Sequence, residues 1–211
     1  FSECSLMSLN IPDSVTTIGA DAFSANFELS SVKLPKNLTE ISYGLFSGCE
    51  ALENITMPSK VASISSDAFS NCLSLESITI PDSVTTIYDY AFSQCSSLSD
   101  IKLPSSLTEI GSYAFSDCNA LTKVTIPAKV TDMGACMFSC CENLEEVVLS
   151  DGITSIGTDA FTEAFALKKV TIPNSVTRIE KGAFYYCQSL TDVVLPEKLT
   201  FIGRSAFAGC D

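Results

Sequence analysis

The stretch Leu75-Glu76-Ser77-Ile78-Thr79-Ile80-Pro81 opens the longer segment LESITIPDSVTTIYDYAFSQCSSL (Leu75 to Leu98) and ends in strict apolar/polar alternation before a proline. Period two with β-branched residues is the pattern of a short strand with one covered face. Pro81 has no N–H to donate to a ladder, so it closes that strand. Val84 and Ile87 follow three apart in SVTTI, which suits a second short extended piece rounding a corner. In Tyr90-Ala91-Phe92-Ser93-Gln94-Cys95 the Phe and Cys are again three apart. This spacing predicts one helical or 3₁₀ turn with both side chains directed inward.

Outward from this stretch, the pattern returns every 23 residues. Phenylalanine recurs at Phe23, Phe46, Phe69, Phe92, Phe115, Phe138, Phe161, Phe184 and Phe207, and Phe1 sits 22 before the first of these. Leucine falls six after each Phe, from Leu29 to Leu190, and a β-branched residue nine after, from Val32 to Val193. Proline closes the strand in every unit from Pro12 to Pro196 except one, where Ser150 stands in the column. The unit reads approximately L-x-x-[IV]-x-[IL]-P-x-x-[VL]-T-x-I-x-x-x-A-F-x-x-C. Repetition at a fixed period of this length is the signature of a stacked-repeat architecture. One unit cannot bury its own apolar face, so neighbouring coils must cover each other. Their strands then form a parallel sheet at about 4.8 Å spacing, with identical side chains in files along the axis. No linker or low-complexity break interrupts the pattern, which predicts a single array of about nine repeats over residues 1–211.

LESITIPDSVTTIYDYAFSQCSSL and LTKVTIPAKVTDMGACMFSCCENL (Leu121 to Leu144) resemble the leucine-rich repeats of the treponemal, or BspA-like, type. The resemblance spans almost the whole chain. It implies a β-rich α/β solenoid: a right-handed coil with a concave parallel sheet, second short strands and short helical or 3₁₀ turns. It further implies a place in larger secreted or cell-surface proteins of bacteria and some parasitic protists, with a role in adhesion to host or other cell-surface proteins. It is not specific for a ligand.

Composition narrows the chemistry. The 211 residues carry 12 Lys+Arg against 25 Asp+Glu, a net charge of -13. A polyanion or an anionic membrane surface would be repelled, so no nucleic-acid partner is expected. Histidine is absent, which removes Ser-His-Asp and Cys-His catalysis and His-ligated metals. No apolar run approaches the roughly 20 residues that span a bilayer, so no membrane insertion is expected. The opening FSECSLMSLN has no basic start before an apolar stretch, so no signal peptide is visible. The chain begins and stops in mid-repeat without polar caps, so it is expected to be part of a longer protein or to associate end to end. No phosphate loop, calcium loop or nucleophile elbow occurs, and an enzyme or a cofactor is not expected.

Of ten cysteines, eight share the column three after Phe: Cys4, Cys49, Cys72, Cys95, Cys118, Cys141, Cys187 and Cys210. They form either a ladder of buried thiols acting as small hydrophobes or disulfides between adjacent coils. The column reads Asn26 and Ala164 in two units, each followed by Phe (Phe27, Phe165), whose ring is expected to refill the local packing. Cys136, Cys140 and Cys141 make a C-x-x-x-C-C cluster with no fourth metal ligand nearby in sequence. Cys136 and Cys140 lie outside the ladder, where exposure would leave them open to oxidation.

Binding, if present, falls on the outward positions of the strands. One column runs Asn10, Lys33, Thr56, Thr79, Lys102, Thr125, Val148, Thr171 and Val194. Its neighbour runs Ser8, Ser31, Asn54, Ser77, Asp100, Lys123, Glu146, Lys169 and Asp192. These strips are either a binding face for protein or glycan or a solvated sheet face with Thr chosen for strand propensity. Tyr43, Tyr88, Tyr90 and Tyr113, in variable positions before Phe, and Tyr185 and Tyr186, just after it, form either an edge patch or rings packed along the stack. Unit six departs most, at Met133, Cys136, Met137, Cys140, Ser150 and Gly152. Asn37-Leu38-Thr39 and Asn54-Ile55-Thr56 read as sequons that matter only in a eukaryotic secretory host. The functional expectation is a non-enzymatic adhesin-type module, and the alternative is a spacer that projects another domain.

Overall fold

A computed structural model describes residues 1–210; Asp211 lies outside the described residues. Eight strands of three or four residues recur once per coil: Ser8–Asn10, Ser31–Lys33, Asn54–Thr56, Ser77–Thr79, Asp100–Lys102, Lys123–Ile126, Glu146–Leu149 and Lys169–Thr171. The first five form one parallel sheet and the last three another. Pairing runs in register with the repeat, so Ile55, Ile78 and Ile101 are neighbours, as are Val124, Val147 and Val170. A second series of two-residue strands follows the proline. Glu40–Ile41, Ser63–Ile64, Thr86–Ile87 and Glu109–Ile110 pair in one sheet, and Ser155–Ile156, Arg178–Ile179 and Phe201–Ile202 in another. The break between them falls at unit six, where Asp132 makes only an isolated bridge to Ser155. In the ninth coil the stretch at Val194 forms no strand among the described residues.

The apolar columns fill one continuous core. The Phe rings stack as a file from Phe1 to Phe207, with centroids 6.1 Å apart at the shortened first step and 5.2 Å between Phe69 and Phe92. The rings from Phe46 to Phe184 are fully buried. Such offset parallel contacts add to the area each ring removes from water.

The turn around each Phe is not the helical or 3₁₀ turn expected from spacing; no helix occurs among the described residues. Phe and Cys do both face inward, and an i to i+3 bond links them, as in Cys72 N–H to the Phe69 carbonyl at 3.2 Å. The residues two before and two after Phe, however, take left-handed φ in every coil: Asp67 (57°) and Asn71 (60°), Tyr90 (57°) and Gln94 (60°), Tyr113 (57°) and Asp117 (58°). The reason is a complete accounting of N–H groups. In coil three, Ala68, Ser70 and Cys72 donate within their own turn. Asp67, Phe69 and Asn71 donate to the carbonyls of Asp89, Ala91 and Ser93 in the next coil, at 3.1, 2.8 and 2.9 Å. A helix would direct all of these N–H groups to carbonyls of its own segment. The change of hand turns every second one toward the neighbour, which offsets the cost of the left-handed residues.

Among the described residues, Gly152 (φ 121°) is the single positive-φ position outside these columns. A Cβ there would meet the backbone oxygen of Ala128, so the coil that lost its proline to Ser150 closes only around glycine.

The left-handed columns carry a testable cost. Burial pushes the Asp117 carboxyl up, Glu142 and Glu163 add repulsion, and a hydrogen bond from Ser116 opposes both. An acid raised on folding stabilises least when ionised, and the penalty disappears as pH falls through the carboxylate range. Asn71 occupies the same column at φ 60°. Asp117→Asn is therefore expected to raise the thermal midpoint by about 1–2 °C at neutral pH. The difference from the parent should close below the ordinary carboxyl pKa of 3.8. Melts across pH check this, and a gap that widens on acidification contradicts it.

Candidate binding surface

Alternation places every second strand residue outward, so the columns read from sequence stand side by side in the structure. Thr56 pairs with Thr79, Thr79 with Lys102, Thr125 with Val148, and Val148 with Thr171. Lys33, Thr56, Thr79, Lys102, Thr125 and Thr171 are exposed, and Val148 is half-buried. Val194 is 80% exposed but lies outside any strand, so the strip ends at Thr171. Ser8, Asn10, Ser31, Lys33, Asn54 and Thr56 are among the residues lining a shallow depression of about 580 Å³. A second of about 810 Å³ lies over Lys102, Lys123 and Thr125, with Pro104 and Pro127 at its side.

The two halves of this face differ. The first is mostly hydroxyl and amide with Lys33 among them, and there Ser77 Oγ donates to Asn54 Oδ1 at 3.5 Å. In the second, Glu146 sits between Lys123 (2.8 Å) and Lys169 (3.4 Å) in the adjacent strands. These two hydrogen bonds, Lys123's first, hold the Glu146 carboxyl below its usual range. Sequence reading set these residues in one column but not their bridging, because whether neighbouring side chains reach each other depends on their rotamers, which the period does not specify. Both sequon asparagines, Asn37 and Asn54, are exposed, and Asn37 accepts a hydrogen bond from Lys60.

The cysteine column is a ladder of thiols, and its role is polar as well as apolar. Apart from Cys4 in the first coil, whose Sγ is directed to the Ser2 carbonyl, each Sγ donates to the Phe carbonyl of the preceding coil: Cys49 to Phe23 at 3.2 Å, Cys72 to Phe46 at 3.3 Å, Cys95 to Phe69 at 3.2 Å, Cys118 to Phe92 at 3.3 Å, Cys141 to Phe115 and Cys187 to Phe161 at 3.1 Å, and Cys210 to Phe184 at 3.3 Å. Asn26 Nδ2 donates to the Phe1 carbonyl at 2.8 Å and so takes over the thiol's bond. The expectation that Phe27 refills packing there is incorrect: its ring is 57% exposed, because Asn26 already occupies the cysteine's place and makes its bond. Phe165, beside Ala164, is half-buried.

Cys136 and Cys140 are half-buried while Cys141 belongs to the ladder. Among the described residues, no group of three or more His, Cys, Asp or Glu is placed to hold a metal ion. Burial raises the Cys140 thiol, and nearby Asp117, Glu163 and Glu142 raise it further against a Ser139 hydrogen bond. That is the reverse of an activated nucleophile. No helix among the described residues is long and apolar enough to cross a membrane.

These features define a leucine-rich-repeat solenoid that presents a strand face. The chain belongs to the BspA-type leucine-rich repeat family, whose model matches residues 1–99 and 85–211 in six copies. None of the curated proteins matches it significantly. Among solved structures it is similar to a leucine-rich repeat protein of Eubacterium ventriosum, with 30% identity and a TM-score of 0.79 over 98% of this chain and 59% of that one. It is also similar to the T. pallidum leucine-rich repeat protein TpLRR, with 32% identity and a TM-score of 0.70 over 76% of this chain and 78% of that one. The pneumococcal vaccine antigen PcpA shares the fold at 23% identity and a TM-score of 0.63, over 97% of this chain and 60% of that one. The chain thus spans 59% of the length of the Eubacterium protein.

Proposed function

We propose that this array is a non-enzymatic binding module of a secreted or surface-displayed protein, and that its strand face takes a host or cell-surface protein in the manner of an adhesin. The observation that carries the reading is the file of outward Lys and Thr, interrupted by Val148, that runs from Lys33 to Lys102 along the first sheet and from Thr125 to Thr171 along the second. Such a face offers many repeated contacts at low ordering cost, since the strands are already rigid. A glycan would use the hydroxyl and amide half around Ser31, Asn54 and Thr56. Residues 1–211 act as one unit in this reading, and end-to-end association of arrays is compatible with it.

The test is binding of the purified array to a panel of immobilised extracellular proteins and glycans. Lys33→Ser, Lys102→Ser and Thr79→Ala together should weaken binding to any partner found by about tenfold without moving the thermal melt. Undiminished binding would show that this face is the wrong one. The mostly Ser and Thr character of the two columns favours a second reading, a spacer that projects another domain, and an array that binds nothing in the panel supports that one.

A further inference from the structure

A different surface carries a more specific partner. We propose that the edge bearing Tyr43, Tyr88, Tyr90 and Tyr113 docks an extended basic segment, rich in Arg or Lys, of a partner protein. This edge follows the second strand series and consists of the residues just before each Phe, away from the strand face. Tyr43 (52%), Tyr88 (44%) and Tyr90 (40%) are exposed, and Tyr113 is half-buried. Tyr90 stacks on Tyr113 with centroids 4.7 Å apart, joining the coils of Phe92 and Phe115, while Tyr43 stands two coils before Tyr88 on the same edge. The aromatics thus satisfy both expectations in part: one pair packs along the stack, and three of the four rings are exposed.

Charge selects the occupant. In the first seven coils the four positions ending just before Phe (19–22, 42–45, 65–68, 88–91, 111–114, 134–137 and 157–160) contain Asp21, Asp67, Asp89 and Asp159 and no Lys or Arg. None of these four acids makes an ion pair among the described residues, whereas Glu146 on the strand face is bridged by two lysines. Burial pushes the Asp67 carboxyl up, and the charges of Asp21 and Asp89 in the adjacent coils push it further, with the nearby Tyr43 hydroxyl acting the other way. Aromatic faces beside uncompensated carboxylates suit a guanidinium or ammonium group, which gains cation–π contact and an ion pair at once. A neutral sugar would leave the repulsion among the acids unrelieved. At about 4.8 Å per coil the six steps from Asp21 to Asp159 cover about 29 Å, the length of about nine residues of extended chain.

The test uses the whole array and a fluorescent nine-residue peptide alternating Arg and Ser, followed by anisotropy at physiological salt. The variant Tyr43→Ser/Tyr88→Ser/Tyr90→Ser/Tyr113→Ser changes no charge, and each Ser copies one already present in its column (Ser66, Ser65, Ser205). It should bind about tenfold more weakly. Asp21→Asn/Asp67→Asn should lose about as much, while Glu28→Gln/Glu53→Gln, which removes equal charge elsewhere, should change binding less than about twofold. The proposal is overturned if the Tyr variant binds like the parent, if the Glu pair loses as much as the Asp pair, or if an Asp/Ser peptide or a neutral oligosaccharide binds the edge as well as the basic peptide. It stands apart from the strand-face reading, which none of these variants touches.

Discussion

Phe115→Ala should destabilise the array by about 3–5 kcal/mol, the usual cost of emptying a buried phenylalanine site. The ring is fully buried and stacks on both sides, at 5.3 Å on Phe92 and 5.4 Å on Phe138, so two interfaces between coils are lost together. In a solenoid each coil is held chiefly by its neighbours, so the defect weakens the junction of two half-arrays. The thermal midpoint should fall by roughly 10 °C, and the transition should broaden as the halves uncouple. Circular dichroism melts test this. Phe27→Ala, at the exposed ring, should cost less than about 0.5 kcal/mol. Equal effects of the two substitutions would mean that the file of rings does not hold the coils together.

Chemical labelling of the cysteines should divide them sharply. Burial raises Cys49 to about 11 and Cys187 to about 12, and pushes Cys72, Cys95, Cys118 and Cys141 well above the ordinary thiol value. Only the thiolate attacks an alkylating reagent, so these six should stay silent at pH 8 by several orders of magnitude in rate. Half-buried Cys4 and Cys136 should label in the folded protein. Mass spectrometry before and after urea reads the pattern, and comparable labelling of Cys95 and Cys136 in the native state would contradict the ladder. A linked effect follows in alkali. A thiol raised on folding contributes its full stability below the unfolded thiol's pKa and loses it as pH rises toward the folded value. Stability should therefore decline from about pH 9 upward, more steeply in the parent than in Cys95→Ala. A parent and variant with parallel alkaline profiles would refute the linkage.

How much was legible in the residues depends on what each column is selected for. The Phe, Leu and Ile files are chosen for apolar burial, and that choice writes itself into the sequence as a period. The strand register follows from the same period, because a shift of one residue would turn every covered side chain outward. The left-handed columns were not legible. They hold Asp, Asn and Gly, which favour that region, but also Tyr90, Gln94, Cys136 and Glu163, which do not. No residue type marks them because the demand comes from the carbonyls of the next coil. The cysteine ladder was legible as a column but not as a donor, and Asn26 shows what the column requires: a group that can reach a neighbouring Phe carbonyl. The tyrosines of the edge were visible in sequence, whereas the uncompensated acids beside them became visible only when distant coils were placed side by side.

By itself, then, the sequence determined the repeat length, the inward columns, the strands and the absence of histidine chemistry, since these depend on residue type at fixed spacing along one chain. The tertiary structure alone decided the hand of the turns, the Lys123–Glu146–Lys169 bridge, the thiol-to-carbonyl bonds and the Tyr and Asp edge. Each of these joins atoms some twenty or more residues apart, and only the stacking of one coil on the next brings them within reach of a hydrogen bond or a charge.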